Sequence, residues 1–203
     1  DACVVLAEGI AGSEQAFVQV MNRRARELGL RSAHFTNVTG VDDPQQRISS
    51  ADLARLTRHI IITYPEFYRV YGRREFTYNN RTQANRNPLL GAFPGADGVK
   101  TGHTDESGYG LVGSAVQNGQ RRIVVFNGLP TMASRTSEAQ RLMRSAFNDF
   151  NLVTIARRGE QVGGARVRLG SRGNVPLVGE RDIVMGGSRS AQEGVTAHII
   201  YTG

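Results

Sequence analysis

The Asn-Gly pair at residues 118–119 constrains the fold of this 203-residue chain more than any other feature. The flanking stretches, residues 109–116 and 121–128, have the composition of β-strands. Asn-Gly readily adopts the positive φ angles of a two-residue hairpin turn, so the two stretches are predicted to pair as antiparallel strands. A strand that contains Lys100 precedes them, which predicts three adjacent antiparallel strands.

Lys100 is the only lysine of the chain, because the other 24 of its 25 basic residues are arginines. It stands between Gly98 and Gly102. A lysine ammonium and the planar fork of an arginine are not interchangeable. Glycines in a strand often mark a close approach of another chain or a ligand to the backbone. Lys100 is therefore the first candidate for a functional role; the alternative is a stray surface lysine.

Apolar residues at three- and four-residue intervals predict helices around these strands. Besides a helix interior at residues 1–8, three helices are predicted, each with a serine before its first turn: residues 14–28 after Ser13, a helix from Ser49 or Ser50 to the residue before Pro65, and residues 138–150 after Ser134 or Ser137. The last helix is expected to cover the strands. The fold class is therefore α+β, with helices on an antiparallel sheet.

After Asn151 the composition changes to short strand-like runs separated by glycine pairs. The runs are residues 153–169, 174–178, 181–185 and 195–201. This pattern predicts a separate all-β unit. The predicted domains are residues 1–150 and 151–203.

The composition excludes some functions. A net charge of +7 and a pI near 10.3 suggest an acidic partner, but the arginines are scattered and form no long basic run, so a generic basic surface is favoured over nucleic-acid binding. Cys3 is the only cysteine, so neither an internal disulfide nor a cysteine metal cluster can form. His34 has no second histidine at ligand spacing and is assigned a structural role. His59, between Arg58 and Ile60, is interpreted as a surface or satisfied core residue rather than as a catalytic one.

Lys100-Thr101-Gly102 is one of three short elements shared by penicillin-binding proteins and serine β-lactamases. Its surroundings, residues 97–104 and 108–115, resemble the same segment of the D-alanyl-D-alanine carboxypeptidases, the low-molecular-mass penicillin-binding proteins. The Asn-Arg-Asn triplet at residues 85–87 resembles that family as well. The resemblance is specific from Asp1 to about residue 150 and continues more loosely from there to Gly203. It implies a β-lactamase/transpeptidase-like domain followed by a small all-β domain.

The resemblance implies roles for four consecutive residues. Lys100 would polarise the cleft and hold groups that develop negative charge. Thr101 would offer its hydroxyl to the substrate carboxylate. Gly102 would let the substrate backbone lie alongside the strand, and His103 would donate a backbone N–H to the oxyanion hole.

Two arginines resemble, by local context, arginines that face this cleft in the family. Arg135 and Arg86 are candidates to bind the terminal carboxylate, for which the arginine fork is well shaped. The alternative for each is a surface arginine in an arginine-rich chain. Asp52 is interpreted as a charge at a helix start rather than as a site residue.

The nucleophile that the family uses is missing from these residues. The residue three positions before Lys100 is Asp97, so no Ser-x-x-Lys exists, and no asparagine has a serine two positions before it. Either the protein has lost its serine, or the chain is a fragment. The fragment is favoured, because residues 1–3 resemble those that follow the Ser-Gly-Asn element of the family. The missing N-terminal segment would carry the serine, its lysine and partner strands, and these residues alone are expected not to hydrolyse substrate.

The resemblance implies a serine carboxypeptidase that acts on peptidoglycan stem peptides ending in D-Ala-D-Ala, is acylated by β-lactams and needs no metal or organic cofactor. It also implies a periplasmic or extracytoplasmic location with possible peripheral membrane contact, and no nucleic-acid partner. Two rivals remain. A class A β-lactamase needs a Glu-x-x-x-Asn loop, which Glu75 and Asn79 match only by letter. A non-catalytic basic module for peptidoglycan or nucleic acid would also account for the charge.

Overall fold

The computed structural model describes residues 2–167 and 173–188. The chain forms two compact units, Asp1–Arg144 and Ser145–Gly203. The domain boundary near residue 150 stays a prediction. None of the helices in the described ranges is both long and apolar enough to cross a membrane.

The first unit contains helices and two small antiparallel sheets. Its elements are α1 (Ala2–Ala11), α2 (Glu14–Glu27), α3 (Ser50–Thr63), α4 (Pro65–Tyr68), a 3-10 helix (Arg69–Gly72), β1 (Glu75–Tyr78), β2 (Arg81–Ala84), β3 (Ala96–Thr104), β4 (Gly108–Gln117) and β5 (Gln120–Leu129). Helix α5 (Met132–Asn148) follows β5.

The central sheet has the strand order β3-β4-β5, with both pairs antiparallel. Asn118 and Gly119 form the turn between β4 and β5 with φ angles of 50° and 73°. Both angles are positive, as a type I′ hairpin turn requires. The predicted hairpin and the predicted third strand are therefore confirmed, and β3 is an edge strand of the described sheet.

Side-chain caps fix the start of two helices as predicted. Ser13 accepts a hydrogen bond from the N–H of Ala16 at 3.1 Å, and Ser49 accepts one from the N–H of Asp52 at 3.2 Å. Each bond satisfies an N–H that the helix itself leaves free. Gly29, with a φ of 70°, follows the end of α2.

Helices α3 and α4 pack on one face of the sheet. Tyr68 of α4, Val99 of β3 and Val112 of β4 form the buried centre. Leu53, Ile60, Ile61, Tyr71, Ile123 and Val125 pack around them. Each buried aliphatic side chain contributes about 1.5–3 kcal/mol of transfer free energy. A helix-on-sheet layer is confirmed, but it is formed by α3, which contacts β4 and β5, whereas the last of the predicted helices was expected to cover the sheet.

The predicted bounds of the third helix are wrong. Helix α5 begins at Met132 and ends at Asn148. Thr131 is responsible, because its Oγ1 accepts a hydrogen bond from the N–H of Ser134 at 3.0 Å while Ser134 Oγ accepts one from the N–H of Thr131 at 3.1 Å. This reciprocal pair starts the helix one turn or more ahead of the predicted first residue. Ser137 lies inside the helix, and Phe150 begins a strand.

Strands β1 and β2 form a separate hairpin that turns at Asn79 and Asn80, whose φ angles are 48° and 59°. All eight residues of the two strands are exposed. Glu75 starts β1 and Asn79 lies in the turn, so the Glu-x-x-x-Asn pattern belongs to a hairpin, as its alternation predicted.

The second unit has two further strand pairs. They are β6 (Phe150–Ala156) with β9 (Ile183–Ser188), and β7 (Gln161–Arg166) with β8 (Asn174–Val178). The run predicted as one strand over residues 153–169 is two strands, since a turn at Arg157–Glu160 with Gly159 at a φ of 78° divides it. The run predicted at 195–201 lies outside the described residues.

Candidate active site

Lys100 is an exposed residue of β3, an edge strand of the described sheet. Val99 is only 8% exposed and belongs to the core beneath α3 and α4. In the antiparallel register Lys100 pairs with Val112 of β4, another member of that core. Its Nζ donates to the carbonyl oxygen of Thr101. Within the described residues it makes no ion pair with a carboxylate.

The electrostatic surroundings of Lys100 are cationic. Desolvation by the surrounding protein lowers its pKa below the ordinary 10.5, and the charges of Arg86 and Arg135 lower it further. The thiol of Cys3 acts weakly in the opposite direction. Arg86 and Arg135 therefore lie close enough to act on Lys100, and such a group of cations favours an anionic ligand.

Arg135 is the most buried of these cations. It lies in the first turn of α5, is 4% exposed, and places its Cζ 5.4 Å from the ring centroid of Tyr109. Its Nε has no hydrogen-bond partner among the described residues. A buried, unsatisfied guanidinium N–H is costly. A ligand carboxylate would supply the missing acceptor in the geometry that arginine prefers.

Tyr109 links Arg135 to His103. His103 and Tyr109 are cross-strand partners in the β3–β4 pair, and their ring centroids are 3.9 Å apart at an angle of 40°. Sequence reasoning missed Tyr109. The hairpin register contained the signal, because the antiparallel pairing of β3 with β4 places Tyr109 opposite His103.

Thr101 and Gly102 occupy the open edge as predicted. Thr101 is half-buried and Gly102 is exposed. A Cβ added at Gly102 would meet nothing within 4 Å, whereas one at neighbouring Gly110 would lie 2.1 Å from Asn127 Oδ1. Close packing therefore explains why residue 110 is a glycine, but it does not explain why residue 102 is one. Open space beside an unpaired strand edge suits an extended peptide that adds to the sheet.

Arg86 is exposed, but its backbone is held on both sides. Asn85 Nδ2 donates to the carbonyl of Arg73 at 2.9 Å, and the N–H of Asn87 donates to Asn85 Oδ1 at 2.9 Å. Asn87 Oδ1 in turn accepts from the N–H of Leu89 at 3.0 Å. The two asparagines therefore fix the segment from which Arg86 extends.

Comparison with known proteins identifies the family. A sequence profile described as "D-alanyl-D-alanine carboxypeptidase" matches residues 1–130. The chain belongs to this family. The fold and recognition predicted from the Lys-Thr-Gly segment are thereby confirmed.

Relatives of this carboxypeptidase-family chain include the D-alanyl-D-alanine carboxypeptidase DacD of Escherichia coli K12, which is 42% identical over 91% of this chain and 48% of its own length. The structure of penicillin binding protein 5 from Haemophilus influenzae aligns with a TM-score of 0.81 at 37% identity, over 93% of this chain and 56% of that one. Penicillin-Binding Protein D2 from Listeria monocytogenes, in its ampicillin-bound form, aligns with a TM-score of 0.66 at 31% identity, over 73% and 62%. The chain spans about half the length of the curated relatives that it matches.

In this member of the carboxypeptidase family, a polar network fixes the start of β3. Arg121 of β5 reaches across β4, with Nη1 at 2.9 and 2.7 Å from the carboxylate oxygens of Asp97 and 2.6 Å from Ser114 Oγ. Tyr68 Oη donates to Asp97 Oδ1 at 2.9 Å, and its ring lies 5.3 Å from Arg121 Cζ. Burial raises the pKa of Tyr68 to about 12, so its hydroxyl remains a donor. Sequence reasoning missed this network.

Three residues lie outside the site. Asp52 is buried at the start of α3, where its Oδ2 accepts from the N–H and Oγ of Ser32 at 2.8 and 2.6 Å. These bonds lower its pKa to about 2, and its prediction as a helix-start charge is in keeping with this position. His59 Nδ1 lies 3.3 Å from Thr63 Oγ1, and the backbone of His34 pairs with Arg47.

Proposed function

We propose that the intact protein is a serine-type D-Ala-D-Ala carboxypeptidase that removes the terminal D-alanine of peptidoglycan stem peptides through an acyl-enzyme and is acylated by β-lactams. The observation that carries the proposal is the position of Lys100 on an open strand edge, within the electrostatic reach of Arg86 and Arg135. The ampicillin-bound relative supports the β-lactam part.

These residues supply the binding half of the reaction. The tail carboxylate of the peptide lies against Thr101 and the unsatisfied Nε of Arg135. The peptide backbone passes Gly102, where no side chain blocks it, and the reacting carbonyl oxygen lies at the N–H of His103. Lys100 stabilises the negative charge that this oxygen and the leaving group develop.

The acylated serine and its base are assigned to residues beyond these 203, because Lys100 is the only lysine here and Asp97 stands three positions before it. The serine attacks the penultimate carbonyl, the terminal D-alanine leaves as an amine, and water then cleaves the ester. The substrate lies outside the cytoplasm, so we expect the enzyme there, with any membrane contact peripheral.

Fluorescent penicillin labelling of the intact protein, together with release of D-alanine from a short D-Ala-D-Ala peptide, tests the proposal. We expect a stable label in the parent protein and a large loss of labelling in Arg135→Ala. Arg141→Ala is the matched control, since Arg141 is on the same helix but exposed and paired with Glu138 at 2.6 Å. A label that hydrolyses within seconds would identify a β-lactamase instead. No label and no release would identify a binding module and overturn the proposal.

A further inference from the structure

The β1–β2 hairpin presents two unlike faces to solvent. In the antiparallel register Phe76 pairs with Gln83, and Tyr78 pairs with Arg81. Side chains alternate along each strand, so these four residues share one side, which we name the aromatic face. The opposite side carries Glu75, Thr77, Thr82 and Ala84.

The aromatic face is uncovered in the described part of the chain. Phe76 is 59% exposed and Tyr78 is 75% exposed. A two-stranded hairpin gains little stability from its own contacts. This one is tied down at its base, where the N–H of Asn85 donates to the carbonyl of Arg74 at 2.7 Å. Exposed tyrosine, phenylalanine and arginine side chains on a fixed support are typical of binding surfaces.

The base of the hairpin lies beside the start of β3. The segment before it ends at Gly72, where an added Cβ would lie 3.0 Å from the carbonyl oxygen of Asp97. The segment after it leads into Arg86, whose charge acts on Lys100. The base of the hairpin is therefore close, in sequence and in space, to the strand that carries Lys100.

The direction of the bound peptide narrows the choice of ligand. In the proposed function the tail carboxylate lies at Thr101 and the reacting carbonyl at His103, so the peptide continues toward Thr104. The hairpin adjoins the other end of the strand, near Asp97. A short peptide in the site would therefore not reach the aromatic face, but a neighbouring part of a polymeric substrate would.

The positive charge of the arginines on and near the hairpin favours an anionic polymer as the ligand of the aromatic face. Arg81 is on the aromatic face, and arginines 73, 74 and 86 lie within two residues of the ends of the hairpin, whereas the carboxylate of Glu75 is on the opposite side. The C–H groups of a sugar ring carry partial positive charge and stack on the negative face of an aromatic ring. Peptidoglycan combines sugar rings with carboxylates.

We infer that the aromatic face binds the glycan of the peptidoglycan polymer next to the stem peptide being cleaved. This inference rests on the proposed function and adds a second contact to it. The contact favours polymeric over short substrates, because two linked binding events raise the affinity for the polymer without changing the chemistry at the site.

Co-sedimentation of the intact protein with purified peptidoglycan sacculi tests the inference directly. We expect Phe76→Ser combined with Tyr78→Ser to weaken sacculus binding and D-alanine release from sacculi about tenfold, or about 1.4 kcal/mol. Release from a short peptide and penicillin labelling should stay at parental levels. Arg81→Glu, a single exposed substitution on the same face, should also weaken sacculus binding. Thr77→Ala combined with Thr82→Ala is the matched control on the opposite face.

The outcomes separate this inference from the proposed function. Sacculus binding that is unchanged in both aromatic-face variants would overturn the inference, whether or not penicillin labels the protein. Equal losses in the aromatic-face and control variants would also overturn it, because they would show a requirement for the hairpin rather than for that face. Loss of binding to vesicles of anionic lipid, with sacculus binding intact, would identify a membrane-binding face instead. Absence of penicillin labelling in the parent protein would count against the proposed function alone.

Discussion

Removing the guanidinium of Arg121 should destabilise the first unit by about 3 kcal/mol. Arg121 and Asp97 are 30% and 33% exposed. Their pair therefore lies between an exposed ion pair, worth about 0–1 kcal/mol, and a buried one, whose breaking costs about 3–5 kcal/mol. An intermediate value of about 2 kcal/mol is appropriate. Ser114 is fully buried, and loss of its partner adds about 1 kcal/mol.

Urea unfolding followed by far-ultraviolet circular dichroism measures this loss. The described helices lie almost wholly in the first unit, so the helical signal reports on that unit. Arg121→Ala, Asp97→Asn and the double variant complete a cycle, and we expect a coupling energy of about 1–2 kcal/mol. Ser114→Ala should cost less than Arg121→Ala, because it leaves the ion pair in place. A coupling energy below about 0.5 kcal/mol would refute the reasoning, since independent sites add within that range.

Three further predictions concern Asp52, Gly102 and Lys100. The hydrogen bonds from Ser32 hold the pKa of Asp52 at about 2, below the ordinary 3.8. Its contribution to stability is therefore complete above pH 3.8 and is lost as the pH falls through 2. The free energy of unfolding measured with urea should fall with pH across this range, and Asp52→Asn should remove that part of the pH dependence. Gly102→Val should abolish penicillin labelling of the intact protein with little change in melting temperature, whereas Gly110→Ala should lower the melting temperature, because only the second substitution meets a neighbouring atom. Burial and two arginines lower the pKa of Lys100 below the ordinary 10.5. Selective ¹⁵N labelling of lysine in these residues yields a single side-chain signal, and its titration should have a midpoint below that value. A midpoint at or above 10.5 would contradict the electrostatic description.

Local sequence signals predicted the elements that depend on local interactions. Asn118-Gly119 sets a turn through its own φ angles, and Ser13 caps a helix three residues away. The third helix was misplaced for a comparable local reason, because the reciprocal pair of Thr131 and Ser134 competes with Ser137 as a helix start. Periodicity alone does not rank such competing caps.

Contacts between distant residues were beyond the reach of the sequence. Arg121 meets Asp97 only because β5 and β3 flank β4, a strand order that the hairpin signal predicted without the side-chain directions. The burial of Arg135 is similar, since it depends on where α5 meets Tyr109. The Lys-Thr-Gly motif located the site, and tertiary packing decides which guanidinium is sheltered and which is exposed.

The open edge of β3 has a consequence for solution behaviour. Its unpaired backbone groups could align with the same edge of a second molecule, and a lysine at such a margin discourages that pairing because two ammonium groups would be brought together and desolvated. Neutralising Lys100 would remove this repulsion. Variants such as Lys100→Ala should therefore self-associate in proportion to protein concentration, which light scattering would detect, and any loss of penicillin labelling in them would then combine two separate effects.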